Sequence, residues 1–255
     1  MPVSHVTPAI VLRARPLGES DKIVSFLTES HGKITGIAKG AKRSRRRFVN
    51  SLEPLSLVNL RFQERQHSSL ALILESELTF GFKHLLASLE KISFAFYLTE
   101  ITDGLIGERE ENRQIFEHLR DSLRYLEENP ASLRFLTTFE LKLLWLAGYQ
   151  PVLDRCKKCN KARAKEFPVR WYFSPQDGGI LCLSCSRSGP VTLPIGSTAL
   201  DALANLEGPQ GLPSSLPTLS ASAVKEIRAV ISQFIQFHTD REIKSASLLY
   251  EFSAI

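Results

Sequence analysis

The first 80 residues and the rest of the chain carry different hydrophobic rhythms. Up to Phe80 the chain runs in short apolar stretches bounded by turn signals, with a period of two in the later ones, which reads as β-strands. Ile10–Arg15 is one such run, ending at the turn signal Pro16-Leu17-Gly18. Lys22–Thr28 is a second, stopped by His31-Gly32, and Lys33–Ala38 is a third. Val58, Leu60 and Phe62 alternate with Asn59 and Arg61, and Leu70, Leu72 and Leu74 keep the same period. Five short strands with one long connection between the third and fourth predict a five-stranded OB-type barrel. Strand count alone also permits an SH3-like barrel.

After Gly81 the period shifts towards 3.6. Leu85, Leu86, Leu89, Ile92, Phe96 and Ile101 predict one long helix to about Ile106, and Ile115, Leu119, Leu123 and Leu126 a second. Asn129-Pro130 is read as the N-cap and first-turn proline of a third helix. That helix places Leu133, Leu136, Leu141, Leu144 and Trp145 on one face and stops at Gly148. Phe94, Phe96, Tyr97, Phe116, Phe135, Phe139 and Trp145 sit at core spacings, so they are read as packing rather than base-stacking residues. Val169–Phe173 predicts a strand, Asp177-Gly178-Gly179 a turn, and Gly208–Ser220 a Pro/Gly/Ser-rich loop. An amphipathic helix through Val224, Ile227, Val230, Ile231 and Phe234 and a short helix near Ser245–Glu251 close the chain.

All four cysteines fall in two Cys-x-x-Cys pairs, Cys156/Cys159 and Cys182/Cys185, separated by 22 residues. Two knuckles each supplying two sulfurs suit one tetrahedral thiolate-bound Zn²⁺. Two disulfides are the competing reading. The N-terminus MPVSHVTPAI shows neither the basic nor the apolar region of a signal peptide, and no run reaches the roughly 18 apolar residues of a membrane span. A reducing, cytoplasmic setting is expected, which favours zinc. Four thiolates would leave no position for water, so the site is expected to be structural.

Net charge sharpens the picture once located. Residues 1–80 hold 12 Lys/Arg against 7 Asp/Glu, and the other residues hold 20 of each. Seven basic residues and no acidic one lie between Ser30 and Leu52: Lys33, Lys39, Lys42, Arg43, Arg45, Arg46 and Arg47. Such a run attracts polyanions by releasing their condensed counterions. A solvated loop or a localisation tag is the bland alternative. Together with Arg13 and Arg15, these cations are the candidate contacts to nucleic-acid phosphates.

Enzyme signatures are scarce. Gly36-x-x-x-Gly40-x-Lys42 misses the phosphate-loop spacing, and no G-x-G-x-x-G, H-E-x-x-H or G-x-S-x-G is present. His5, His31, His67, His84, His118 and His238 are scattered singly and read as surface or capped core residues. A non-enzymatic binding protein is expected; an RNA-binding accessory protein using the same barrel is the alternative, and a nuclease the third.

Three segments carry a family resemblance: AIVLRARPLGESDKIVSFLTESHGKITGIAKGAKR (9–43), ELKLLWLAGYQPVLDRCKKC (140–159) and FSPQDGGILCLSC (173–185). In that order they resemble RecO, the bacterial recombination mediator family. The resemblance implies an α+β multidomain protein, with an OB-fold domain at 1–80 and an α-helical domain at 81–255 carrying a four-cysteine zinc module at about 153–190. It implies binding to single- and double-stranded DNA, strand annealing, and work with RecR, and in many bacteria RecF, to load RecA onto SSB-coated DNA. A dock for the SSB C-terminal tail is implied without assignable residues. The expected location is the cytoplasm, at the nucleoid, with no membrane partner.

Overall fold

The period-two segments close on themselves. In the computed structural model, which describes residues 3–163, 170–187, 191–206, 220–239 and 241–253, five strands form a barrel. They are β1 (Ser4–Leu17), β2 (Asp21–Thr28), β3 (Lys33–Ala38), β4 (Leu57–Arg65) and β5 (Ser68–Phe80), joined in the order β1-β2-β3-β5-β4. In this closed barrel every strand pairs on both edges, and the long β1 divides its length between its two partners. β1 pairs with β4 over Ser4–Ile10 and with β2 over Ala9–Leu17, bending at a register shift between Val11 and Arg13, as bulges allow. The one parallel contact, β3 with β5, requires close backbone approach at Gly36. A Cβ there would lie 2.5 Å from Ile73 Cδ1 and 2.9 Å from the Ala71 carbonyl oxygen. This is the OB-like barrel that the alternation predicts, and its interior is Ala9, Val11, Val24, Phe26, Ile34, Val58, Leu60, Phe62 and Ile73.

The long connection between β3 and β4 is an ordered part of the barrel. Phe48 and Leu52 from this connection join the same core, at 5% and 3% exposure. Leu55 is also buried, and its N–H donates to the Val11 carbonyl at 3.0 Å. Ser51 and Ser76 exchange side-chain hydrogen bonds to each other's carbonyls, at 2.6 and 3.2 Å. The connection is therefore pinned along its second half by apolar burial and along its first half by polar contacts described below.

Contacts divide the molecule into two units, Met1–Ala131 with Lys244–Ile255, and Ser132–Ile243. In the first, the barrel is accompanied by α1 (Lys83–Leu86), α2 (Leu89–Leu105), α3 (Arg113–Glu128) and α8 (Ser245–Ser253). The predicted single helix from Leu85 to Ile106 is broken at Ser88, whose extended backbone and side chain cap α2 by accepting from the Lys91 N–H at 3.4 Å. Glu127 on α3 accepts from the His84 and Leu85 N–H groups at 3.0 and 2.7 Å, so a carboxylate satisfies the donors at the start of α1. Glu100 on α2 does the same for α8 through the Lys244 and Ser245 N–H groups. Phe94, Tyr97 and Phe116 are buried as predicted, whereas Phe96 is 38% exposed. His5 and His31, distant in sequence, meet with Nδ1 and Nε2 3.2 Å apart.

The second unit holds α4 (Leu133–Leu146), a sheet of β6 (Trp171–Ser174), β7 (Gly179–Leu181) and β8 (Leu193–Ile195) in the order β7-β6-β8, then α5 (Leu183–Ser186), α6 (Ser197–Leu206) and α7 (Ala221–Thr239). The reading of Asn129-Pro130 as the start of α4 is corrected. Asn129 caps the end of α3, donating from its N–H and Nδ2 to the Tyr125 carbonyl, and Pro130 then cannot extend the helix. Ser132 is the true N-cap of α4, accepting from the Phe135 N–H at 3.2 Å. Gly148 ends α4 with φ +80°, as a left-handed cap should. Phe135 and Phe139 are buried, and a buried ion pair joins Glu140 on α4 to Arg228 on α7. The predicted strand at Val169–Phe173 is realised as β6, its first residue lying outside the described ones, as does almost all of the predicted loop at 208–220.

One internal contact lends itself to measurement. Lys33 and Asp103 face each other at 3.4 Å with side chains 11% and 8% exposed, and Lys33 Nζ also donates to the Asp103 carbonyl at 2.8 Å. Asp103→Ala strands a buried ammonium, so it should lower unfolding stability by about 3 kcal/mol, read as an earlier midpoint in chemical denaturation.

Candidate nucleic-acid interface and metal centre

The basic connection begins where β3 ends. Gly40, at φ +67°, turns the chain, and its N–H donates to Asp21 Oδ1 at 2.8 Å. That bond, with a second from the Ser20 hydroxyl, holds the Asp21 carboxyl below its ordinary value. The Lys42 N–H donates to the Ser20 carbonyl at 2.9 Å and Lys42 Nζ to the Gly18 carbonyl at 2.8 Å. The run is thereby fastened to the β1–β2 turn, one of the loops that flank the ligand face of OB barrels. Arg47 closes the segment on itself. Its guanidinium donates to the Lys39 carbonyl at 2.8 Å and lies 4.9 Å from the centre of the Phe48 ring.

The nine predicted contacts therefore separate by what they already do. Lys39, Arg43, Arg45, Arg46 and Arg15 are exposed, and among the described residues no ion pair engages them. Arg13 and Arg15 project on the same outward side of β1; Arg13 touches Asp103 at 3.7 Å while its side chain stays 59% exposed. Lys42 and Arg47 are exposed but donate to backbone carbonyls. Lys33 is different: it is buried and committed to Asp103. An ammonium held in that way does not reach a ligand in solvent. Sequence alone ranked it with its neighbours because adjacency in the chain does not reveal which way a β3 side chain points.

The metal centre is built by a hairpin and a strand end. Arg155 pairs with Ala162, and the Arg163 N–H donates to the Asp154 carbonyl at 2.9 Å. Between them the knuckle turns through Asn160 at φ +57°, with Cys156 N–H donating to the Lys161 carbonyl and Asn160 N–H to the Cys156 carbonyl. The Lys157 N–H reaches the Ile180 carbonyl at 2.9 Å, which ties this knuckle to β7. β7 leads directly into Cys182 and α5. Gly179 permits the approach, because a Cβ there would stand 2.6 Å from the Val152 carbonyl oxygen.

The four sulfurs converge within 4.8 Å of one another. Cys159 and Cys182 Sγ are 3.7 Å apart, far beyond a disulfide bond and close to the edge of about 3.8 Å expected for thiolates around a tetrahedral zinc. Burial raises the Cys156 thiol, and N–H groups of Cys159, Cys182 and Lys158 more than offset it, bringing the thiol down to about 6. Cys185 moves the other way, to about 12, chiefly through its hydrogen bond with Cys182. Four soft donors with one already favouring the thiolate fit a metal ion.

A second concentration of charge escaped the sequence reading. Arg155, Lys157, Lys158, Lys161 and Arg163 fill five of nine positions around the first knuckle without an acidic residue. Balancing charge over the whole of residues 81–255 averaged this cluster to zero; a nine-residue window would have found it.

Two family models cover the chain: "Recombination protein O N terminal" over residues 1–82 and "Recombination protein O C terminal" over residues 86–247. Among curated relatives, the DNA repair protein RecO of Anaeromyxobacter sp. (strain K) is 34% identical over 246 residues, 96% of each chain. That of Syntrophus aciditrophicus (strain SB) is 34% identical over 252 residues, 97% of this chain and 96% of its own. That of Thermoanaerobacter sp. (strain X514) is 31% identical over 246 residues, 95% of this chain and 96% of its own.

The metal centre yields an acid-side prediction. The Cys156 thiol ionises below its unfolded value, so the stability it lends is present at high pH and lost as pH falls through about 6. Metal content, measured after dialysis at each pH, should fall as the solution is acidified, because the ion leaves as its thiolate ligands take up protons. Cys156→Ser, or a strong chelator at neutral pH, should expose the segment around the knuckles to protease. Unchanged protease resistance in both would contradict the assignment.

Proposed function

The chain belongs to the RecO family, and on that premise we propose that it is a non-enzymatic recombination mediator that binds and anneals DNA through its barrel. The observation that carries the reading is the run Lys39–Arg47: six cations held on an OB-like barrel with Lys39, Arg43, Arg45 and Arg46 exposed and unpaired among the described residues. Phosphate contacts from such a surface give affinity without reading sequence, which suits a protein that must accept any strand. Arg13 and Arg15 extend the surface along β1, and Lys42 and Arg47 shape it. Lys33 holds the fold and takes no part.

Binding would place phosphates along the loop and release their counterions. Two complementary strands brought to one cationic protein repel each other less, which accelerates pairing. The mediator role implied by the family adds RecR, with RecF in many bacteria, as the partner in loading RecA onto SSB-coated strands, and an SSB tail as the element that recruits the protein. Both single- and double-stranded DNA are substrates of this backbone-directed mode. The resident metal is Zn²⁺, bound by Cys156, Cys159, Cys182 and Cys185. It would fix the geometry of the first knuckle, Arg155–Arg163, which brings no large apolar residue of its own, a contribution worth about 10–16 kcal/mol of apparent binding energy in small zinc modules. Among the described residues no helix is long and apolar enough to cross a membrane; the cytoplasm, where chromosomal DNA lies, is the proposed location. The proposed domains are the barrel at 1–80 and a helical domain at 81–255 with the zinc module at about 153–190.

Salt dependence tests the reading. Each phosphate neutralised on single-stranded DNA contributes about 0.7 to the slope of log K against log salt. Replacing Arg43, Arg45 and Arg46 together by Ala should therefore reduce that slope by about 2, with the melting temperature unchanged. Arg47→Ala should instead lower stability, since it removes the clasp to Lys39. An unaltered slope in the triple variant removes the run from the interface, and stronger binding to RNA of equal length than to DNA would favour an RNA-binding role.

A further inference from the structure

We propose that the first zinc knuckle, from Arg155 to Arg163, is a second polynucleotide-binding surface that takes the phosphates of a strand other than the one on the barrel. The inference rests on the DNA-binding reading above and deepens it. The residues are Arg155, Lys157, Lys158 and Lys161, all exposed on a tight hairpin whose backbone is committed inward. Hydrogen bonds from the Cys156, Lys157 and Asn160 N–H groups fix the turn, so the lysines stand on a rigid support. Lys157 and Lys161 have no ion pair among the described residues, whereas Arg155 and Lys158 touch Asp154 and Asp177 only at 3.9 Å. Arg163 is spent on Asp201 at 2.7 Å, its side chain 8% exposed.

Neutralising the metal centre does not use up this charge. A zinc ion with four thiolates carries a formal charge of about −2, and four free or loosely paired cations exceed it. The type of partner follows from what the segment lacks. RCKKCNKAR contains no aromatic and no large aliphatic residue, so it offers neither a stacking platform for bases nor an apolar anchor of the kind that carries protein interfaces. A flat set of cations on a rigid turn matches a phosphate rail. A protein that anneals must hold two strands at once, and two separate basic surfaces, one in each unit of the chain, supply the means.

The test uses the full, metal-loaded chain with Lys157→Gln, Lys158→Gln and Lys161→Gln combined. Two non-complementary oligonucleotides carrying a donor and an acceptor dye report simultaneous binding, and complementary oligonucleotides report annealing. Metal content and melting temperature establish that the variant is folded, and a second variant with Arg at all three positions keeps the charge if Gln disturbs the knuckle. Expected for the Gln variant are binding of one oligonucleotide within about 3-fold of the parent, loss of energy transfer between two, and annealing slowed at least 10-fold. The Arg variant should restore both. Energy transfer and annealing that survive in the Gln variant overturn the proposal, as does a parent protein that binds only one strand. Retained two-strand binding with weakened capture of an acidic peptide would overturn it in favour of a protein partner. A parent that ignores DNA altogether would instead sink the barrel reading itself, so the two failures are distinguishable.

Discussion

Six like charges packed into nine residues repel one another, and the structure holds them in place by burying what lies beside them. Phe48 and Leu52 follow the run directly and enter the barrel core; each fully buried side chain of this kind contributes about 1.5–3 kcal/mol. Upstream, Gly40 and Lys42 are fastened to the β1–β2 turn through Asp21, Ser20 and Gly18. Between these two anchors Arg43, Arg45 and Arg46 stand exposed, while Arg47 turns back to the Lys39 carbonyl. A loop already ordered would lose less entropy on meeting DNA than a tail would, so under the proposed function the anchoring would favour binding to a polyanion.

The same economy of construction governs the metal module. The Lys157 N–H bond to the Ile180 carbonyl and the close approach of Val152 to Gly179 bring the two knuckles together. With β6, β7 and β8 only three or four residues long, the sheet of the second unit is small, and four cysteines within 4.8 Å of one another are placed to supply, through a metal ion, the cross-link that a larger core would otherwise provide. Buried polar pairs do comparable work elsewhere. Lys33 with Asp103 and Glu140 with Arg228 each fix one helix against its neighbour, specifying an orientation that apolar contacts leave looser.

Much of the barrel was legible because its strands are short apolar runs whose turns carry Gly or Pro, with clean alternation in β4; on β5 the face was not, since Ala71 and Ile73 fill the core while Leu70, Leu72 and Leu74 stay half-buried. The four-cysteine cluster was legible because two short spacings leave little choice of ligand. What stayed hidden depended on direction or on competition between local signals. Asn129 fits an N-cap by residue type, yet Ser132 lies three residues on and Pro130 stops the preceding helix first. Leu85 and Leu89 share a helical period across Ser88, and periodicity cannot see a cap that interrupts it. Lys33 belongs to the basic run by position and to the core by geometry. Short elements such as α6 and β8, ten and three residues long, gave no signal that stood above their surroundings.

Pre-organisation of the cationic loop is the claim on which this account turns, and Phe48→Ser addresses it without touching a charge. The substitution removes the apolar anchor while leaving Lys39, Lys42, Arg43, Arg45, Arg46 and Arg47 in the chain. Measured on single-stranded DNA at fixed salt, with a folded barrel verified by circular dichroism, affinity should drop about 10-fold and hydrogen exchange in residues 41–52 should rise. Faster exchange with undiminished affinity would show that a disordered basic tail serves equally well, and the account would be wrong.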